Sequence, residues 1–241
     1  MKLQNATALV TGANRGIGRA LVQALLDAGV QKVYATARDR NSLEALTVLD
    51  LARVIPLQVD ITDRNLVSQL SEQAPDVNLL INNAGVLSFG NILETTVETI
   101  HQQFDVNFYG TLNMARAFVP VLERNGGGAI VNLLTLVALA SMPGLAAYNA
   151  SKAAAWSMTQ SLRASVADKN IAVYGIFPGA VDTDMLAGVD MAKTSPADIA
   201  MAVLQGIATD REDIFPDPMS TQLYAAWKQD HKAVEKQFAT M

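Results

Sequence analysis

Apolar residues are laid out along this chain in two rhythms. Short, nearly continuous apolar runs at 6–11, 32–36, 54–59, 77–81, 129–134 and 171–177 have the length and composition of strands buried on both faces. Between them lie longer stretches with helical spacing at 19–28, 42–51, 62–73, 97–122, 147–168 and 195–209. In the first of these Leu21, Leu25 and Leu26 share a face and Gly29 supplies the stop. Thr62 is the expected N-cap of the third, and Ser195-Pro196 reads as N-cap and first turn of the last. A short seventh strand is expected at 213–215, followed by an amphipathic helical tail over 221–238. There are no repeats, low-complexity tracts or linkers. Strands alternating with helices predict one α/β domain over 1–241, with a doubly wound, parallel, Rossmann-type sheet of about seven strands flanked by helices. A C-terminal helical tail is expected from residue 219 to 241.

Composition narrows the chemistry. Half of the 241 residues are hydrophobic and 17% are charged, enough for a large core and too little charge for a disordered chain. The net charge is −5 and the basic residues are scattered, which argues against a nucleic-acid-binding face. Cysteine is absent, so disulfides, thiolate metal sites and a cysteine nucleophile are excluded. His101 and His231 are the only histidines, and they stand far apart, which disfavours a multi-histidine metal centre or a Ser-His-Asp hydrolase. No metal is expected. The N-terminus lacks the apolar core of a signal peptide. Residues 126–151 carry no charge, but Asn132, Pro143-Gly144 and Asn149 interrupt them, so a buried strand and loop is expected rather than a membrane span. The protein reads as cytoplasmic and soluble.

The first candidate site is the turn Thr11-Gly12-Ala13-Asn14-Arg15-Gly16-Ile17-Gly18, between the first strand and the first helix. Glycines there let a backbone approach a pyrophosphate, and the helix N-terminus offers free N–H groups to it. Gly12, Asn14, Arg15, Gly16, Ile17 and Gly18 are therefore candidate cofactor contacts. The end of the second strand distinguishes the two nicotinamide dinucleotides, because an acid there accepts from the 2′-hydroxyl whereas arginine suits a 2′-phosphate. Ala37 occupies the place of the acid, Arg38 follows, and Arg15 can reach the same region. Charge-assisted bonds of about 1.5–3 kcal/mol each would favour NADP(H).

The second candidate is the pair Tyr148 and Lys152, four residues apart at the start of a helix and so on one face. An ammonium close to a phenol can lower its pKa by about 1–3 units, which makes the pair a proton donor and its tuner. Tyr224 and Lys228 repeat the spacing, but in the tail, where a solvated helix face is the simpler expectation.

Taken in order, the glycine turn, Asp60 after the third strand, Asn82-Asn83-Ala84-Gly85 after the fourth, Asn107, the Tyr148/Lys152 pair and Pro178-Gly179-Ala180-Val181-Asp182-Thr183 make the chain resemble the short-chain dehydrogenase/reductase family over nearly its whole length. The resemblance implies an oxidoreductase of the alcohol dehydrogenase or carbonyl reductase type. Asp60, with the Ile61 backbone beside it, would bind adenine. Asn83, Ala84 and Gly85 would line the ribose and nicotinamide side, and Lys152 would hold the ribose hydroxyls. Pro178 belongs to the loop in which Val181 and Thr183 would grip the carboxamide. Asn107 would hold a water linking Lys152 to solvent. A homodimer or homotetramer packed through the two long helices is implied as well.

One position departs from the family pattern. The serine usual thirteen residues before the tyrosine is Thr135 here, which keeps the hydroxyl but adds a methyl and a stiffer χ1. Thr135 is expected to polarise the substrate carbonyl, with Ser141 as the alternative. Around these groups the segments 86–89, 136–139, 142–145 and 185–186 are mainly apolar and uncharged, with Val137, Met142, Leu145 and Met185 as candidate pocket residues. They suit an apolar ketone or aldehyde, reduced by hydride transfer from NADPH with Tyr148 as general acid. A 3-ketoacyl-carrier-protein reductase is the alternative enzyme, although the polar tail after Phe215-Pro216-Asp217-Pro218 departs from that group. A non-catalytic NADPH-binding sensor or scaffold is the alternative of another class. Replacing Arg38 by Asp is expected to lower kcat/KM with NADPH much more than with NADH; an equal loss with both would remove the NADP(H) assignment.

Overall fold

The computed structural model describes residues 3–240; Met1 and Lys2, in the segment where no signal peptide is expected, and Met241, the last residue of the expected tail, lie outside it. Seven strands form one parallel sheet in the order β3-β2-β1-β4-β5-β6-β7. They are β1 Thr7–Thr11, β2 Lys32–Ala37, β3 Val54–Gln58, β4 Leu79–Asn82, β5 Gly128–Leu133, β6 Ile171–Ile176 and β7 Asp213–Ile214. The apolar runs arise because most strands bury both faces. Along β1, Ala8 and Val10 face one core while Leu9 faces the other; along β4, Leu79 and Ile81 oppose Leu80 in the same way.

Helices cover the two faces. Helix α1 (Gly16–Asp27) packs Leu21, Val22 and Leu25 on the first face, and α7 (Pro196–Ala208) adds Ile199, Val203 and Ile207. On the other face α3 (Arg64–Gln73) contributes Val67 and Leu70, and α5 (Thr111–Arg124) contributes Met114, Phe118 and Leu122. The short α2 (Glu44–Thr47) follows a 3₁₀ turn over Arg40–Leu43, in place of the longer helix expected at 42–51.

Two further expectations are corrected. Thr62 does not cap α3; the Asp63 carboxylate does, accepting from the Asn65 and Leu66 amides. The single helix expected over 97–122 is broken into α4 (Val97–Phe104), a π-helical turn at Asp105–Gly110, and α5. The wider turn coincides with a close approach: a Cβ on Gly110 would lie 2.6 Å from Ile61 Cδ1, so only glycine fits there unmoved. The uncharged stretch 126–151 is divided among β5, a 3₁₀ turn at Leu136–Ala138 and the start of α6 (Ala146–Ser165). No helix among the described residues is long and apolar enough to cross a membrane.

The tail is two helices, α8 (Pro218–Gln229) and α9 (His231–Phe238). It is docked rather than loose. Phe215 stacks on Phe177 at 4.9 Å and on Tyr224 at 4.0 Å, and Trp227 meets Trp156 edge-on at 6.2 Å. Such pairs contribute about 0.5–1.5 kcal/mol each beyond their buried area. Tyr224, expected on a solvated face, is thus half-buried in a ring stack, and Lys228 lies over its ring at 4.8 Å.

Candidate functional site

Doubly wound sheets open a crevice where the strand order reverses, at the carboxyl ends of the strands. Here that point lies between β1 and β4, and it is built by short polar contacts. The Thr11 hydroxyl accepts from the Asn83 and Ala84 amides, and the Asn83 side-chain amide donates to the carbonyls of Thr11 and Gly12. Gly12 and Gly16 adopt φ of 61° and 52°, which favours glycine. Gly18 is required for another reason: its Cβ would fall 2.1 Å from the Gly12 carbonyl oxygen. Gly18 therefore closes the turn from behind and is not part of the cavity wall. Arg15 is the N-cap of α1 and gives the helix no side-chain cap, so the first-turn N–H groups stay open to an anion.

A cavity of about 1170 Å³ runs from this turn along the strand ends. It is larger than the usual range of about 300–1,000 Å³ for a single small-ligand site, which leaves room for a dinucleotide and a second molecule. Its first half is lined by Gly12, Asn14, Arg15, Gly16, Ile17, Arg38, Asp60 and Ile61. Asp60 also accepts from the amide and hydroxyl of Thr62. Arg38 sits beside Asp39, a wall residue that the sequence pattern does not single out; the Asp39 carboxylate accepts from the Asn41 amide and caps the 3₁₀ turn. Arg15 does not join Arg38. Its guanidinium pairs with Asp184 at 3.0 Å across the cavity, and both side chains are exposed.

The second half is lined by Asn83, Ala84, Gly85, Thr135, Val137, Met142, Leu145, Tyr148, Lys152, Pro178, Val181, Thr183 and Met185. The Thr135 hydroxyl accepts from the Val137 amide and lies near enough to the Tyr148 phenol to lower its pKa. Ser141, the alternative to Thr135, is exposed and outside the wall. The Lys152 ammonium donates to the Leu133 carbonyl at 2.7 Å and lies 5.9 Å from the centre of the Tyr148 ring. A Cβ on Gly85 would come within 3.1 Å of Asn107 Oδ1 and 3.6 Å of Lys152 Nζ, so its absence keeps this wall clear. These features fit a dinucleotide: a bare glycine cradle, open helix amides, and a lysine beside an unobstructed wall.

Asn107 stands behind that wall. It is 1% exposed; its amide donates to the Val86 carbonyl and the Ser151 hydroxyl, and its Oδ1 accepts from the Val86 amide. Ser151 in turn donates to the Tyr148 carbonyl. The Asn107 carbonyl accepts from the Thr111 hydroxyl. Asn107 thus braces the segment after β4 against the helix that carries Tyr148.

The electrostatics are those of a buried pair. Burial pushes the Tyr148 phenol up to about 12, with the Thr135 hydroxyl opposing it, and pushes the Lys152 ammonium down to about 8. The expected acidification of the phenol by lysine is therefore not found in the polypeptide alone: desolvation dominates, and only the Thr135 hydroxyl opposes it. At neutral pH the phenol holds its proton, and the lysine is charged below about pH 8.

The tail supplies a wall that no motif announced. Met219 and Leu223 of α8 and Phe238 of α9 line the cavity, as do Leu186, Val189 and Met191. Phe238 and Val234 are buried against Leu136, Val137 and Tyr148. The amphipathic spacing of Leu223, Trp227, Val234 and Phe238 is a legible signal of a docked face, though not of what it docks on.

Fold and site together define a nucleotide-dependent oxidoreductase of the Rossmann type. A family model of the short chain dehydrogenases matches residues 6–194, and the chain belongs to that family. It is 35% identical to a 1-deoxy-11-beta-hydroxypentalenate dehydrogenase from Streptomyces exfoliatus, over 89% of this chain and 84% of that one. It is 33% identical to an uncharacterised oxidoreductase of Staphylococcus saprophyticus, over 86% and 93% of the two chains. A crystal structure of a short chain dehydrogenase from Burkholderia cenocepacia in complex with NADP superposes with a TM-score of 0.93 at 36% identity, covering 99% of each chain.

The buried lysine gives a direct test. With a ¹³C-labelled side chain, Lys152 is expected to titrate near pH 8, with the ammonium present below and lost above. A midpoint near the ordinary lysine value of about 10.4 would show that the side chain is hydrated.

Proposed function

We propose that the protein is an NADPH-dependent oxidoreductase that reduces an apolar ketone or aldehyde to the alcohol. The carrying observation is the Thr135–Tyr148 hydroxyl pair, set at the junction between the glycine-lined half of the cavity and its apolar, uncharged end.

On this reading NADPH supplies the hydride. The glycine turn and the α1 amides would hold its pyrophosphate, Arg38 its 2′-phosphate, Asp60 and Ile61 its adenine, and Lys152 its ribose hydroxyls. Asn83, Ala84, Gly85, Pro178, Val181 and Thr183 would flank the nicotinamide end. NADP in the 36%-identical Burkholderia cenocepacia structure supports that choice of cofactor, and so does Arg38 on the adenosine-side wall.

The chain's own groups handle the oxygen. Thr135 donates a hydrogen bond to the carbonyl, stabilising the charge that gathers there. Tyr148 Oη gives its proton to that oxygen as the alcohol forms. A phenol held near 12 is a reluctant donor, so the phenolate that remains needs charge beside it, and the Lys152 ammonium stands next to the ring on the same wall. Asn107 acts as a positioning residue through Val86 and Ser151. The substrate lies among Val137, Met142, Leu145, Met185 and the tail residues, where an uncharged apolar body loses no hydration. Assembly through the α4–α5 and α6 helices and a cytoplasmic setting belong to the same reading; Val97 and Tyr109 leave apolar surface exposed on the first of these.

The test is NADPH oxidation over a panel of apolar ketones and aldehydes, with chiral analysis of the product. Tyr148→Phe is expected to lower turnover by at least about a hundredfold, the low end of general acid catalysis. Thr135→Val should also cut it strongly, whereas Thr135→Ser retains it. Undiminished reduction by Tyr148→Phe would refute the mechanism. Tight NADPH binding without turnover would point to a sensor, and selectivity for acyl thioesters to a ketoacyl reductase.

A further inference from the structure

Asp217 is a buried carboxylate that lies outside every motif of the cofactor site. It is 4% exposed, yet among the described residues no cation is bonded to it. Its partners are neutral donors: the Ser220 amide at 2.8 Å, the Ser220 hydroxyl at 2.9 Å and the Gly179 amide at 2.8 Å. The first caps α8, and the Asp217 amide answers it by donating to the Ser220 hydroxyl at 3.3 Å, a capping box. The third reaches 38 residues back, into the loop after β6.

That third bond completes a clamp. The N–H of Gly179 and the C=O of Pro178 belong to one peptide unit. The carbonyl accepts from the Leu136 amide at 3.0 Å, and the N–H donates to Asp217. One peptide plane is thus held at both ends, by the residue following Thr135 on one side and by the tail on the other. The approach is close: a Cβ on Gly179 would lie 2.9 Å from Asp217 Oδ1, 3.0 Å from Met219 Sδ and 3.1 Å from Leu136 Cδ2. Downstream of the clamped plane the chain runs through Ala180 and Val181 to Thr183, all on the cavity wall.

We propose that Asp217 is a positioning residue for the cofactor site: it fixes the Pro178–Gly179 peptide, and with it the nicotinamide-side loop, to the tail that walls the substrate end. The inference rests on the reading of this cavity as an NADPH site. It makes tail docking and cofactor affinity interdependent, since any shift of α8 pulls on the Gly179 amide.

Asp217→Ser separates this role from helix capping. Serine is as good an N-cap as aspartate and can still accept from the Ser220 amide, but it is too short to keep the Gly179 bond. In Asp217→Ser, the Gly179 amide is expected to exchange at least about tenfold faster in protein without added nucleotide, and the NADPH dissociation constant, read by fluorescence, to rise about tenfold, as for loss of one bond to a carboxylate. Ser220→Ala, which loosens the cap and leaves the Gly179 bond, should lower Tm without moving either quantity. The proposal is overturned if Asp217→Ser leaves NADPH affinity unchanged, whatever happens to Tm or exchange, or if Ser220→Ala weakens NADPH as much. Should Asp217→Ser not fold, Asp217→Asn, which has one acceptor oxygen in place of two, is tested by the same two measurements, with the same results expected and the same results overturning the proposal. Wild-type protein that fails to bind NADPH would instead refute the functional reading itself.

Discussion

Everything at the cofactor side depends on how closely β1, α1 and the end of β4 are drawn together. The contact that sets this distance is Gly18 against the Gly12 carbonyl, where even a methyl group would collide. The Asn83 amide then bonds the same carbonyl and that of Thr11, so the turn and the β4 end move as one body. A loop held this way needs no ligand to take shape, and preorganisation lowers the ordering cost of binding. The wall on the other side is made by the same device. Asn107 locks Val86 to the Tyr148 helix, and Gly85 leaves the space in front of Lys152 open.

Burial is the second constraint, and it works against the simplest account of a tyrosine–lysine pair. Taking both groups out of water favours their neutral forms, the phenol protonated and the amine free. The structure shows this shift in both members. A protonated phenol is the state that a reduction consumes, so burial loads the donor while making its proton harder to release. On the proposed mechanism the difference has to come from positive charge beside the phenol, that of the Lys152 ammonium together with that which hydride donation would leave on the bound cofactor, which ties proton transfer to a fully assembled site.

The sheet and the cofactor half of the cavity are legible in the sequence because they rest on local rules. Strands buried on both faces leave continuous apolar runs, and glycines with positive φ or forced contacts recur at fixed spacing after β1. Other features depend on contacts distant in sequence. The π turn at Asp105–Gly110 coincides with the meeting of Gly110 and Ile61, which no periodicity encodes. Its place in the glycine turn points Arg15 toward the region of Arg38, but Asp184, 169 positions away, holds it instead. Asn107 is legible as important and illegible as a brace, since its partners come from separate segments of the chain.

The apolar half of the cavity is the least legible part for a related physical reason. Apolar walls impose volume and shape, not particular residue types, so Met219, Leu223 and Phe238 carry no motif. Their placement is set by the aromatic stack of Phe177, Phe215 and Tyr224 and by the Asp217 clamp. Such a wall can vary in size without disturbing the glycine turn, because that turn is closed by its own contacts with the end of β4. The clamp is the exception to this independence. It joins the tail wall to the one loop that both halves share, so on the proposed reading a change of tail that preserves Asp217 alters the shape of the apolar wall alone, whereas one that loses it disturbs the cofactor side too.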